Sequence, residues 1–152
     1  MRIQIVNRQR VVSVPRAAVR RAAHAAAGED FAGQVIDIVF VDDATIRQVN
    51  RQFLGRNRVT DVIAFDYRDR GLSTVPMAEV IVSAERARVE ARRRNLPLER
   101  ELILYVIHGV LHLVGYDDHA CQERRLMRAR ERAVLKALLP IGRKPSRRPH
   151  SR

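Results

Sequence analysis

Residues Pro97 to His119 read PLERELILYVIHGVLHLVGYDDH and predict a long, largely buried helix. The apolar residues of this segment recur at helical spacing, which indicates one face packed against the rest of the domain. Proline 97 suits the first helical turn, and Gly115 suits the position that follows the last turn. His108 and His112 are four residues apart, so both imidazoles lie on one face of the predicted helix.

Strands and helices are predicted on both sides of this helix. Residues 2–6 and 11–14 are apolar runs around a polar segment, which predicts a hairpin or one bent strand. Runs rich in β-branched residues predict further strands at 35–41, 59–65 and 78–83. Helical patterns and end signals predict helices from Pro15 to Gly28, from Asp42 to Gly55, at 85–94 and at 121–139. This order predicts a mixed sheet of about four strands covered by helices, an α+β fold.

The length of 152 residues and a hydrophobic share of 46% fit one domain, expected at residues 1–140. Residues 141–152 are basic, contain two prolines and lack acidic residues, so we expect a disordered tail. No apolar run approaches the roughly 18 residues of a membrane span, and no signal-peptide pattern is visible. Cys121 is the single cysteine. These features predict a cytoplasmic protein without internal disulfides or a membrane partner.

A metal site is predicted where the long helix ends. His108 and His112 occupy successive turns, and the turn at Gly115 can return the chain so that Asp118 or His119 supplies a third ligand. Three protein ligands with one open position are typical of a catalytic zinc site. The alternative is that both histidines are ordinary helix residues beside an apolar face.

The residue after the first histidine bears on the reaction. Zinc peptidases of the HExxH type place a glutamate there as the general base, whereas this chain has Gly109. Zinc itself lowers the pKa of a bound water from 15.7 to about 7, so a separate base is not required. A phosphodiester substrate would suit such a site if arginines stabilise the added negative charge.

The charge of the chain indicates a polyanionic partner. Twenty-nine Lys and Arg residues against 17 Asp and Glu residues give +12, and subtracting the five charges of the basic tail still leaves +7. Lys136 and Lys144 are the only lysines, and arginine forks bind phosphates bidentately, so nucleic acid is the expected partner. The alternative is that these arginines only solvate helix faces. A 5% aromatic share argues against a base-stacking platform.

Three segments resemble one known family. HGVLHLVGYDDH (108–119) closely resembles the HGxLHLxGYDH signature of the YbeY endoribonuclease family. NRQFLGRNRVTDVIAF (50–65) resembles that family's asparagine-arginine, aromatic and TDVLSF segment, and AEVIVSAERA (78–87) resembles its GDI-type strand and following helix. The resemblance extends from about Ile36 to Leu139. It implies a zinc-dependent, single-strand-selective endoribonuclease that acts on ribosomal RNA and ribosomal particles in rRNA maturation and ribosome quality control. It also implies an α+β fold with the histidines at a cleft; DNA is not expected as a partner.

The third metal ligand departs from the family pattern. The family has a histidine directly after GYD, whereas here Asp118 holds that position and His119 follows it. If no gap is introduced in the comparison with the family pattern, Met127 keeps its usual distance from position 118, which favours Asp118 as the ligand. Ligand chemistry favours His119, because the loop after Gly115 can absorb one residue. Both remain candidates, with His119 preferred, and the other acidic residue, Asp117, is expected to position water.

The arginines depart from the pattern as well. The family commonly has an arginine directly after the aromatic residue at Phe53, where this chain has Leu54. The expected catalytic residues are Arg51, Arg56 and Asp117, and the expected RNA-binding residues are Arg58 and Arg86. Two other functions stay open: a metallohydrolase that acts on peptides or amides, and a non-catalytic ribosome-binding protein with structural zinc.

Overall fold

A four-stranded mixed sheet lies at the centre of the structure, a computed structural model that describes residues 1–70 and 76–138. The strands are β1 (Arg2–Asn7), β2 (Val35–Val41), β3 (Val62–Asp66) and β4 (Ala78–Ser83), in the order β1-β2-β4-β3. The pairs β1–β2 and β2–β4 are parallel, and β3 is antiparallel to β4. The predicted mixed sheet and α+β class are confirmed.

Five helices accompany the sheet: α1 (Arg16–Ala27), α2 (Asp43–Leu54), α3 (Ala84–Arg94), α4 (Leu98–Leu113) and α5 (Cys121–Leu138). Asp42 begins α2 as predicted, because its carboxylate accepts a hydrogen bond from the Thr45 N–H at 2.8 Å. Gly55 ends α2 in the left-handed conformation, with φ of 68°. None of the helices in the described ranges is long and apolar enough to cross a membrane. The predicted tail at 141–152 lies outside the described residues.

The predicted strand at residues 2–6 is confirmed, but its continuation at 11–14, as a hairpin or as one bent strand, is wrong. β1 pairs in parallel with β2, and residues 11–14 form no strand. The side chain of Gln9, which is 7% exposed, replaces the strand pairing there. Its Oε1 accepts hydrogen bonds from the N–H groups of Val11 and Val12, and its Nε2 donates to the Val12 carbonyl and to Oδ1 of Asn7. The backbone groups of this segment are therefore satisfied locally, without a partner strand.

Helix α4 is the central helix, and it confirms the prediction from residues 97–115. It packs against the sheet and against α1, α3 and α5. Ile107 and Leu111 are fully buried in the same cluster as Phe40 from β2. Because α4 is fixed on several sides, side chains on its remaining face are held in defined positions.

Gly109 is the point of closest approach between α4 and the sheet. A Cβ at this position would lie 2.4 Å from Cγ1 of Val80 and 2.9 Å from Cγ2 of Val62. We expect Gly109→Ala to lower the free energy of unfolding by up to about 2 kcal/mol, because overpacking costs about 1–3 kcal/mol and the gain in helix propensity offsets about 1 kcal/mol. Denaturant melts measure the change. Val80→Ala in the same chain removes both methyl groups of Val80, including the nearer one. The double variant should therefore lose less free energy of unfolding than the two single variants lose together. Strict additivity of the two losses would contradict the contact.

Candidate metal centre

Two imidazoles on α4 face each other across one turn. Nε2 of His108 lies 3.1 Å from Nε2 of His112, and the ring planes are 81° apart. Oδ2 of Asp118 lies 3.8 Å from each of these two nitrogens. The three atoms therefore converge on one point beside the last turn of α4.

The other ring nitrogens are held by hydrogen bonds. Nδ1 of His112 lies 3.1 Å from the carbonyl oxygen of Tyr116, which only accepts, so this Nδ1 carries the proton. Nδ1 of His108 lies 2.5 Å from Oε1 of Glu131, and an ionised carboxylate selects the same tautomer. Both Nε2 atoms are then unprotonated in the neutral rings. Two lone pairs at 3.1 Å repel each other unless a cation lies between them.

Carboxylates around the pair favour that cation. Burial lowers the pKa of His108, but the hydrogen bond to Glu131 and the charges of Asp61 and Asp118 outweigh it, so the pKa lies above its ordinary value. Burial and the nearby His108 hold the pKa of His112 below its ordinary value. The surroundings therefore favour a proton on one of the two imidazoles rather than on both.

The separations fit a tetrahedral ion. Zinc–nitrogen and zinc–oxygen bonds of about 2.0–2.2 Å place ligand atoms about 3.3–3.6 Å apart in a tetrahedron. The observed separations of 3.1 and 3.8 Å lie close to that range. His108, His112 and Asp118 can thus hold a zinc ion with small adjustments, and three ligands leave the fourth position open.

His119 does not join the group formed by His108, His112 and Asp118. Its side chain is 80% exposed and contacts the carboxylate of Asp117. The guanidinium of Arg124 donates to the carbonyl oxygens of Asp118 and His119, at 3.1 and 2.7 Å, and so holds the loop in this arrangement. The structure brings Asp118 to the two imidazoles and not the preferred candidate His119. Asp117 and His119 form a second, more exposed group with Asp118.

A cleft of about 590 Å³ opens over the imidazole of His108. Asp118 and Glu131 line it beside this histidine, and Tyr105 lines it further along α4. Six arginines line the same cleft, namely Arg58, Arg86, Arg93, Arg94, Arg124 and Arg128. The candidate metal centre therefore opens into an arginine-rich groove.

Arg58 and Arg86 lie in this cleft as expected, whereas Arg51 and Arg56 do not line it. Arg51 lines a separate groove on the exposed side of α2. Asn50 is a buried residue of α2, at 2% exposed, and its Nδ2 donates to the Arg58 carbonyl at 2.9 Å, whereas the neighbouring Arg51 is exposed. That hydrogen bond fixes the loop that presents Arg58.

Sequence reasoning missed Glu131, Arg93 and Arg94 of α3, and Arg124 and Arg128 of α5. A usable signal was present for Glu131, because it follows Met127 by one helical turn. Met127 is 1% exposed and belongs to the core that α4 shares. A residue at i+4 from a buried methionine lies on the same helix face and therefore points toward α4.

Comparisons with known proteins identify one family to which the sequence is similar. The family model described as Endoribonuclease YbeY matches residues 4–139. The Endoribonuclease YbeY of Syntrophotalea carbinolica is 43% identical over 101 residues, which are 63% of this chain and 67% of that protein. The protein of the same name from Syntrophus aciditrophicus is 32% identical over 136 residues, which are 82% of this chain and 85% of that protein.

One solved structure is similar in fold. The solution structure of TM1509 from Thermotoga maritima superposes with a TM-score of 0.61 at 23% identity. The match covers 90% of this chain and 88% of that chain. The similarity extends over nearly the whole of both chains, so it supports the α+β architecture.

Proposed function

Because this chain belongs to the endoribonuclease YbeY family, we propose that it is a zinc-dependent endoribonuclease selective for single strands, which acts in rRNA maturation and ribosome quality control. The observation that carries this proposal is the convergence of two Nε2 atoms and Oδ2 of Asp118 at an arginine-lined cleft. Its substrate is RNA, including ribosomal RNA in ribosomal particles. The arginine-rich cleft supports a polyanionic substrate. We place the protein in the cytoplasm, which the single cysteine supports.

His108, His112 and Asp118 hold the zinc ion in this proposal. When bound, zinc supplies Lewis acidity, which polarises a phosphoryl oxygen and makes an attacking water more acidic. Glu131 accepts a hydrogen bond from Nδ1–H of His108, and the Tyr116 carbonyl accepts one from Nδ1–H of His112. These two acceptors fix the tautomers and turn both Nε2 atoms to the site.

Arg58 and Arg86 bind the RNA backbone in the cleft. The Arg58 side chain makes no ion pair with any residue in the described ranges, so its guanidinium is available for a phosphate. Arg86 lies at the start of α3, and its guanidinium is 3.0 Å from the Glu90 carboxylate. Asp117 is a positioning residue: its carboxylate accepts the Asp118 N–H at 2.7 Å and contacts His119.

Metal removal tests the proposal. We expect purified protein to contain about one zinc per chain and to cleave an unstructured RNA but not a perfect duplex of the same sequence. Dialysis against a chelator should abolish cleavage, and added zinc should restore it, because in this proposal the Lewis acidity that drives cleavage comes from the zinc ion and not from its three protein ligands. Elemental analysis and gel assays measure both quantities. Full cleavage by metal-free protein would overturn the proposal.

One observation favours a second candidate, a ribosome-binding protein with structural zinc. The ligands and Glu131 come from α4, from the loop after it and from α5, so an ion at this point also ties α5 to the domain. That role predicts ribosome binding without any zinc-dependent cleavage. A peptidase of the HExxH type is disfavoured, because the contacts of Gly109 with Val80 leave no space for a glutamate.

A further inference from the structure

Three arginines of α3 gather around one buried carboxylate. Glu90 has a side chain only 9% exposed, and its oxygens lie 3.0 Å from Arg86, 2.8 Å from Arg93 and 3.5 Å from Arg94. These arginines lie at i−4, i+3 and i+4 from Glu90, which places all three on one face of the helix. The arrangement is therefore built into the sequence spacing of α3.

The cluster keeps an excess of positive charge. Glu90 neutralises one of three guanidinium groups, and Glu101, 3.8 Å from Arg94, neutralises at most one more. The arginine side chains are 47%, 67% and 48% exposed, whereas both carboxylates are buried. Each guanidinium has five N–H donors, so most donors are left for a ligand in solution.

The cluster lies in the same cleft as the candidate metal centre. Arg86, Arg93 and Arg94 line it together with His108. Arg94 contacts Glu101, which precedes His108 by seven residues on α4. At a rise of 1.5 Å per residue, the backbone positions of Glu101 and His108 are about 10 Å apart along the helix axis. Phosphates of a stacked strand advance about 3.4 Å per nucleotide, so that distance corresponds to about three nucleotides.

We propose that Arg93 and Arg94, together with Arg86, form a second phosphate subsite that binds the RNA backbone about three nucleotides from the cleaved bond. This inference rests on the proposed function, because it assumes that RNA occupies the cleft. Guanidinium groups bind phosphate oxygens bidentately, and Glu90 holds the three of them in place before the ligand arrives. Buried Glu90 is thus a positioning residue for this subsite.

A helix-stabilising role is the competing explanation for these arginines. Cations in the last turn of a helix interact favourably with its dipole, and Arg92, Arg93 and Arg94 all lie in the last turn of α3. Arg92 does not line the cleft, however, and neither does the exposed Arg100 at the start of α4. Removing Arg92 and Arg100 therefore changes the net charge as much as removing Arg93 and Arg94 does, without changing the residues that line the cleft.

Binding of a 12-nucleotide unstructured RNA tests the subsite. The assay uses protein that also carries His112→Ala, so that no strand is cut. We expect Arg93→Ala with Arg94→Ala to weaken binding by roughly tenfold and to reduce the salt slope by about 1.4, because each single-strand phosphate contact contributes about 0.7. Arg92→Ala with Arg100→Ala should change affinity by less than about twofold. Equal losses in the two double variants would overturn the proposal.

Single neutral linkages locate the contact along the strand. One linkage at a time of a 2′-O-methyl strand is replaced by a neutral methylphosphonate, and binding is measured. At one or two linkages we expect the replacement to weaken binding to the protein with all its arginines but to leave binding to the Arg93→Ala, Arg94→Ala variant unchanged. Uniform sensitivity in both proteins would also overturn the subsite. The outcome is separable from the proposed function. A protein that binds RNA through these arginines but never cleaves it contradicts only the nuclease function. A zinc-dependent nuclease whose RNA binding does not depend on Arg93 and Arg94 contradicts only the subsite.

Discussion

We expect His112→Ala to lose its bound zinc and to cleave unstructured RNA at least about a thousandfold more slowly. A bound metal supplies several kcal/mol of stabilisation to the transition state, and each 1.4 kcal/mol corresponds to a factor of about ten in rate. His112 provides one of three converging ligand atoms, and its Nε2 lies 3.1 Å from that of His108. Alanine leaves two ligands that cannot close a site of this kind.

His24→Ala is the matched control for this variant. His24 lies on the exposed side of α1 and is the one histidine of the described helices besides His108 and His112. The control should retain about one zinc and the full rate of cleavage. Circular dichroism melts of both variants show whether the domain is folded. A folded His112→Ala protein that holds zinc and cuts RNA like His24→Ala would refute the metal centre.

The parts of the fold that follow from local patterns were predictable. The apolar spacing of residues 97–115 gave the central helix α4, and Asp42 and Gly55 marked the ends of α2. The histidine pair followed from helical geometry alone, because residues four apart share a face. These features depend on near neighbours in the chain, and near neighbours are what a sequence pattern records.

The errors arose where a polar side chain takes a structural role. Gln9 satisfies the backbone of residues 11 and 12, so an apolar run there forms no strand. Asn50 shares the buried face of α2 with Ile46, whereas Phe53 is 62% exposed and packs edge-on against Phe65. Arg51, next to Asn50 in the chain, is exposed and lines a groove outside the cleft.

Long-range partners were the least predictable part of the site. Glu131 orients His108 from 23 residues away, across the packing of α5 against α4. Glu90 gathers three arginines, but only the placement of α3 beside α4 brings them into the cleft of His108. These contacts depend on how helices pack, which spacing within one helix does not specify.

The identity of the third ligand gives the second large effect. We expect Asp118→Ala to weaken zinc binding by more than about 100-fold, since loss of an outer partner alone costs about 10–100-fold. His119→Ala should bind zinc within a few-fold of the unchanged chain. Asp118 Oδ2 lies 3.8 Å from both imidazole nitrogens, whereas the His119 ring is 80% exposed and contacts Asp117.

In the present loop conformation Asp118 faces the imidazoles, because its Oδ2 lies 3.8 Å from both Nε2 atoms, whereas His119 groups only with Asp117 and Asp118. Arg124 holds the present conformation through the carbonyl oxygens of both residues, at 3.1 and 2.7 Å. Exchanging the ligands would break these hydrogen bonds and the Asp117 contact with the Asp118 N–H. Competition with a chromophoric chelator measures both zinc affinities at equal protein concentration. Loss of zinc in His119→Ala with retention in Asp118→Ala would show that the loop rearranges around the ion and that a third imidazole completes the site.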